Sequence, residues 1–298
     1  MGTMSEQVEA LARKYVDFAG VDCLPPDIRD KLADPATFVD PSVLAYTTAQ
    51  SKIAQILHEN PASDAMLRIV YPDTNGKPLT GGLDRFLSRS LSGQALRDRL
   101  EFCSKWLAAN FVQPRKRLVD LGGGSGSYAF EALLQRSGRV HSGFQWDILD
   151  IDLEAVVVAQ LVARSAGLES VVTARQGNFM KDVAAPADYA VMIGVLCGMD
   201  KTTATAVLTR AKAHLKHDGE IFAATLLQQA FDEDPRTFRI LCNVGGWQLR
   251  PKTLDQVTEV FTTAGWNILN IFSERPPHHN HTSGSGQYAI VHAQVSPS

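Results

Sequence analysis

Apolar residues change their period along the chain. In the first third they recur at helix spacing. Val8, Leu11, Tyr15, Val16 and Phe18 predict a helix over 5–19, and 41–59 and 93–111 read the same way. A turn-rich break, Tyr71-Pro72-Asp73-Thr74-Asn75-Gly76-Lys77-Pro78, interrupts this region. Beyond residue 112 the pattern alternates. Short apolar runs ending at Asp120, Asp150 and Gln176, and over 187–196 and 220–227, predict strands. Helical patterns begin near Phe130 and after Asp152, and cover 201–215 and 253–263, the former stopping at Asp218-Gly219. Two further strands, 267–273 and 287–294, close the sequence. Such alternation predicts an α/β domain with a parallel sheet over 113–298, preceded by a helical region over 1–112.

Composition narrows the function classes. Of the 298 residues, 45% are apolar and 20% charged, which fits a globular chain with a sizeable core. A net charge of −3 with no basic cluster argues against nucleic acid as a partner. No apolar segment approaches membrane-spanning length, and the first residues lack a charged-then-apolar leader pattern. Cys23, Cys103, Cys197 and Cys242 have neither paired nor metal-type spacing, so the expected setting is the reducing cytoplasm. Cys103 and Cys242 lie in apolar runs and read as small buried hydrophobes.

The densest chemical signal is Leu118-Val119-Asp120-Leu121-Gly122-Gly123-Gly124-Ser125-Gly126. A strand, a glycine turn and a helix in that order make a cradle for a nucleotide cofactor, because glycines admit a close ligand and the helix start offers N–H groups. The dinucleotide fingerprint fails, since its third glycine would fall on Ser127. That argues against a dehydrogenase. In doubly wound folds an acid ending the second strand accepts the ribose hydroxyls. Asp150 holds that place, 24 residues after Gly126, and Asp152 reads as a helix N-cap.

The pattern Asp120-x-Gly122-x-Gly124-x-Gly126, followed by Asp150-Ile151 with Glu154, Ala155 and Ala159 in step, resembles class I S-adenosylmethionine (AdoMet)-dependent methyltransferases. This resemblance implies a Rossmann-like, seven-stranded sheet whose last strand is antiparallel. It implies AdoMet as cofactor, with contacts at Asp120, Gly122, Gly124, Gly126, Asp150, Ile151, Asn178, Phe179 and Gly194. Asn178 stands where the family places an adenine-binding acid. Its amide oxygen can accept from the adenine amino group, or the residue is simply part of a turn. The family's small-molecule members use helical appendages to cover the substrate or to form a homodimer.

Val195-Leu196-Cys197-Gly198-Met199-Asp200, and the stretch from Phe238 to Arg250, are similar to O-methyltransferase segments. In that family a His acting as general base stands where this chain has Cys197, and Asp200 matches a later Asp. Cys197 is then either a packing residue or a replacement base. His278, His279 and His281 lie in the connection between the last two strands. They can be a solvated turn, a base or a metal site. Trp247 and Arg250 are candidate acceptor contacts, through ring stacking and anion pairing, or else packing and a surface ion pair. The expected function is methyl transfer from AdoMet to a small molecule, with oxygen favoured over nitrogen or carbon. A protein of this fold that binds ligand, or performs a non-methylating reaction, is the alternative from another class.

Overall fold

The computed structural model describes residues 52–59, 64–71, 84, 87–88, 90–136, 143–243, 247–275 and 286–296. The helix expected over 5–19, the turn-rich break after Tyr71 and the histidine connection 278–281 lie outside the described residues.

The chain divides into two compact units, one of residues 1–97 with Ala230–Leu249, the other of Asp98–Gln229 with Arg250–Ser298. Helix boundaries inside the first unit are α1 (Lys52–Glu59) and α2 (Ala65–Val70). The long helix α3 (Leu91–Asn110) passes from the first unit into the second. The units divide at 97/98, inside α3. The physical reason is local. Asp234 accepts from the backbone N–H and the hydroxyl of Ser92, at 3.0 and 2.8 Å, and Phe231 stacks on Phe238. These contacts draw α8 (Pro235–Asn243) into the N-terminal unit. In the same unit Asp84 caps α1 by accepting from Lys52 and Ile53.

The second unit carries one seven-stranded sheet: β1 (Arg117–Leu121), β2 (Gln145–Asp150), β3 (Val172–Gln176), β4 (Ala187–Ile193), β5 (Leu215–Leu226), β6 (Trp266–Phe272) and β7 (Tyr288–Val295). Their order across the sheet is β3-β2-β1-β4-β5-β7-β6. The first five strands are parallel, and β7 runs antiparallel to both β5 and β6. Order reverses between β1 and β4, which places the ligand crevice of such a fold outside the carboxyl ends of those strands.

Helices α4 (Ser127–Gln135), α5 (Leu153–Ser165), α6 (Lys201–Ala211), α7 (Gln228–Glu233) and α9 (Leu254–Thr263) complete the order. On one sheet face Val119, Ala190, Met192, Ala223 and Val291 pack with Leu208, Val257 and Phe261 of α6 and α9. On the opposite side the second half of α3 lays Trp106 on Phe222, centroids 4.2 Å apart, and Phe111 lies on Tyr189 at 4.0 Å. Strands covered on both sides read as continuous apolar runs, as β1 and β4 do.

Helix ends follow their signals where polar caps exist. Asp152 caps α5, accepting from Glu154 and Ala155, and Thr253 with Gln256 forms a capping box on α9. The helix expected to reach Leu215 ends at Ala211 instead, and β5 already begins at Leu215. His214 turns the chain. Its ring is fully buried, Nδ1 accepts from Ala184 N–H at 3.1 Å, and Nε2 donates to the Phe179 carbonyl at 2.9 Å. Leu208, Ala211 and Leu215 keep helical spacing across this turn, and that spacing hid it.

Candidate active site

β1 brings the chain to the crevice at Asp120 and Leu121, and the glycine turn follows. Gly122 and Gly126 sit at φ +77° and +79°, where a side chain is strained. A Cβ on Gly122 would meet Val195 Cγ2 at 2.5 Å, and one on Gly126 would meet Ile148 Cδ1 at 2.7 Å. The turn is thus packed from behind, with no room for larger residues at either position. Gly126 is the N-cap of α4 and supplies no side-chain hydrogen bond, so the helix start keeps its donors for other acceptors.

Asp150 ties this turn to β2. Its Oδ2 accepts from Gly124 N–H at 2.7 Å, and its Oδ1 accepts from Asp152 N–H at 2.8 Å. The Asp150 carbonyl accepts from Gly177 N–H at 2.8 Å, which brings the end of β3 alongside. The glycine turn, Asp150 and the Asn178 turn therefore meet at the ends of β1, β2 and β3.

Asp120 lies beneath the turn. It is 2% exposed, and its carboxyl group sits 2.6–2.9 Å from where a Cβ on Gly123 would be. Its Oδ2 is buried without a hydrogen-bond partner. Burial, reinforced by the negative charge of Asp150, pushes the Asp120 carboxyl up to about 7.

Asn178 occupies a tight turn. Its Oδ1 accepts from Met180 N–H at 2.9 Å, and its own N–H donates to Asp182 Oδ2 at 2.7 Å. A carbonyl oxygen has two lone pairs, so the Met180 bond is compatible with a second donor. Phe179 is half-buried and packs against the sheet core. Ile151, next to Asp150, is 67% exposed, an apolar surface at the crevice edge. Gly194 ends β4 at φ +90° with open space on its Cβ side, where the nearest atom is Arg99 Nη2 at 4.0 Å.

Past the end of β4 the geometry is set by groups that sequence reading did not single out. Lys252 is 3% exposed and buried alongside the turn Leu196–Gly198. Its ammonium donates to the carbonyls of Leu196, Met199 and Arg250, at 3.0, 2.7 and 3.1 Å. Burial holds this ammonium below the ordinary lysine range. Cys197 sits in the same turn, 5% exposed, and its carbonyl accepts from Arg250 N–H at 2.7 Å. Asp200 caps α6 through Thr203 N–H at 2.8 Å, which holds its carboxyl below the usual range. The Arg250 side chain is exposed. Trp247 falls in the other compact unit, half-buried, with its N–H donating to Leu241 O at 3.2 Å.

Arg99 and Glu274 form a second polar layer. Arg99 is 2% exposed on the apolar stripe of α3, between Leu96, Leu100 and Cys103. Its Nε donates to Tyr128 Oη at 2.9 Å, and its guanidinium lies 4.4 Å from the Tyr288 ring centroid. Glu274 accepts from Gln287 N–H at 2.6 Å and Tyr288 N–H at 3.0 Å, pinning the end of β6 to the start of β7. Burial raises the Glu274 carboxyl above its ordinary range. A charged residue within a buried helical stripe was the readable signal for Arg99.

Three of the described histidines lie at or within β5 and β7. His214 lies in the turn before β5, His217 follows at the start of that strand, and His292 Nε2 pairs with Glu220 at 2.7 Å. His278, His279 and His281 lie outside the described residues, whose flanking strands β6 and β7 end and begin at the carboxyl side of the sheet. Among the described residues no cluster of His, Cys, Asp and Glu has the arrangement to hold a metal ion, and no helix is long and apolar enough to cross a membrane.

A glycine turn packed from behind, an acid bonded to it and an uncapped helix start lie together at one edge of the seven-stranded sheet. The model of the O-methyltransferase domain family matches residues 64–267, and the chain belongs to that family. It is an AdoMet-dependent methyltransferase, and its acceptor is a small molecule. Similar solved structures share the fold. A "possible exported protein" from Bordetella parapertussis is 17% identical, with a TM-score of 0.70 and coverage of 99% of this chain and 98% of that one. Magnesium protoporphyrin IX methyltransferase from Synechocystis PCC 6803, solved with bound AdoMet, is 14% identical, with a TM-score of 0.56 over 83% of this chain and 99% of that one. Mitomycin 7-O-methyltransferase is 17% identical, with a TM-score of 0.52 over 92% and 76%. No curated protein matches the chain by sequence.

Proposed function

We propose that the protein methylates an oxygen atom of a small molecule, and that the cofactor lies across the carboxyl ends of β1, β2 and β3. The observation that carries the cofactor reading is the hydrogen bond from Gly124 N–H to Asp150, which makes turn and acid one preorganised unit. AdoMet, when bound, supplies a methyl group on a sulfonium centre. The residues that would hold it are the turn Gly122–Gly126, Asp150 for the ribose hydroxyls, and Ile151, Asn178 and Phe179 for the adenine. The chain's part in the transfer is alignment and exclusion of water, which carry most of the rate for such a displacement.

Oxygen is favoured by membership of the O-methyltransferase domain family and by the mitomycin enzyme among the similar folds. The general base is a separate matter. Cys197 is buried in a turn whose carbonyls are bound by Lys252 and Arg250, which supports a packing role. We assign the base to one of His278, His279 and His281, because the strands they connect meet at the carboxyl side of the sheet. Cys103, Cys197 and Cys242 are free thiols, which supports a reducing cytoplasmic setting.

The test is product analysis against a panel of phenols and carboxylic acids. S-adenosylhomocysteine should form in proportion to the O-methyl product. Replacement of the three histidines by Ala should lower turnover by about 10²–10⁴-fold while AdoMet binding survives. Full turnover in that variant would remove the loop from catalysis, and AdoMet consumption without a methylated product would defeat the reading itself.

A further inference from the structure

Asn178 and Phe179, the proposed adenine contacts, lie in the irregular connection between β3, which ends at Gln176, and β4, which begins at Ala187. Asn178 opens a short turn there, its carbonyl accepting from the N–H groups of Lys181 and Asp182 at 2.8 and 2.7 Å. A segment without a strand ladder takes its position from its ties to neighbouring elements. One tie faces the crevice, the bond from Gly177 N–H to the Asp150 carbonyl at 2.8 Å. The others come from the segment that joins α6 to β5.

His214 lies in that segment, fully buried, and holds both ends of the connection. Its Nδ1 accepts from Ala184 N–H at 3.1 Å, which fixes the ring proton on Nε2. Nε2–H then donates to the Phe179 carbonyl at 2.9 Å. Arg210, one turn earlier on α6, adds donors to the same stretch. Its Nε reaches the Phe179 carbonyl at 3.4 Å, and its Nη2 reaches the Lys181 carbonyl at 3.2 Å. The imidazole makes both of its bonds only while neutral. An imidazolium carries N–H at both nitrogens, and one of them would face the Ala184 N–H, donor against donor. Burial holds His214 below the ordinary histidine range against the pull of the Phe179 carbonyl, and the cations Arg210 on α6 and Arg175 on β3 act in the same direction as burial.

We propose that His214 is a positioning residue for the adenine site, acting through the Phe179 carbonyl and the Ala184 N–H to hold Asn178 against the base. The proposal rests on the adenine reading above. An acceptor that reads a single amino group has to be held to within about 0.5 Å, by neighbours that are themselves locked. Asn178 Oδ1 is fixed within its own turn by Met180 N–H, so a shift of the turn carries the acceptor with it. Protonation of His214 breaks the Ala184 bond and frees the turn, which makes recognition of the base sensitive to acid.

Calorimetry tests this by comparing S-adenosylhomocysteine with S-inosylhomocysteine, in which oxygen replaces the adenine amino group. Both compounds carry the same ribose and amino acid, so Asp150 and Asp120 act on them alike. The intact protein at neutral pH should bind the adenosyl compound about 10–100-fold more tightly. His214→Phe keeps a ring without donor or acceptor, and should cut that ratio to about threefold or less by weakening the adenosyl compound. His214→Gln keeps a donor and an acceptor and should restore most of the ratio. From about pH 7 to about pH 5 the ratio should shrink in the intact protein and stay flat in His214→Gln, a comparison that stands even where His214→Phe does not fold. An undiminished ratio in folded His214→Phe, or a ratio in the intact protein that is flat across that window, would overturn the proposal and leave the adenine reading in place. Equal binding of the two compounds by the intact protein would instead overturn the adenine reading, and the proposal with it.

Discussion

The two halves of the crevice are built on different principles. On the proposed cofactor side, at β1, β2 and β3, the polar groups belong mostly to the backbone. Its functional groups are N–H donors, glycines at positive φ and one acid bonded to them. On the proposed acceptor side, at β4, β5 and β7, the polar groups are buried charged side chains. Lys252 binds three carbonyls, Glu274 binds two N–H groups, and Arg99 spans Tyr128 and Tyr288. A backbone site needs residues in fixed order, and a side-chain site needs only that they meet in space.

Breaking the backbone side should have the largest effect. Gly122→Ala forces an L-residue into the left-handed region, costing about 1–2 kcal/mol, and drives a methyl group into Val195. Overpacking adds about 1–3 kcal/mol. AdoMet affinity should fall by about a hundredfold or more in calorimetry, and near-wild-type affinity would contradict the packed-turn geometry.

Next in size is the acceptor side. Lys252→Met removes the donor of three carbonyls and should destabilise the protein by about 2–3 kcal/mol in denaturant titration. AdoMet binding measured on the folded variant should change far less than turnover. A parallel loss of both would mean that the two sides are not separable.

A smaller effect concerns Asp120, whose folded carboxyl titrates near 7 rather than at its ordinary 3.8. The folded state then holds a proton that the unfolded state has lost, so the cofactor-free protein loses stability as pH rises from about 4 to about 7. Asp120→Asn should raise the melting temperature near pH 8 and leave it nearly unchanged near pH 4. A cationic sulfonium favours the ionised carboxyl, so AdoMet affinity of the intact protein should rise through about pH 7, and that of Asp120→Asn should stay flat. A pH-independent difference in melting temperature would refute this account of Asp120.

Smallest of all is Asn178→Asp. Both side chains accept from Met180 N–H, and both offer an acceptor to an adenine amino group. AdoMet affinity should change by less than about threefold, since the number of acceptors is kept. A loss of tenfold or more would remove Asn178 from the adenine site.

What was legible in the sequence follows the same division. The strand–turn–helix at Asp120–Phe130 and the acid at the end of β2 are local patterns, each within one strand and its following turn, and the structure reproduces them. The antiparallel ending of the sheet, which joins strands far apart in the chain, came from the family resemblance, and the structure has it. Lys252 and Glu274 carried no such signal, because most of the groups they bind lie on other elements, and Arg99 was marked only by its charge within a helical stripe. The early end of α6 was missed for the same reason, since His214 is held by Ala184 and Phe179.

The central claim is that Asp150 and the glycine turn form one preorganised ribose site. It is tested most directly by a crystal structure of the protein with S-adenosylhomocysteine. The account predicts both ribose hydroxyls within hydrogen-bond distance of the Asp150 carboxylate and the adenine beside Ile151 and Asn178. A complex in which the ribose lies away from Asp150, with the turn Gly122–Gly126 not touching the ligand, would contradict it.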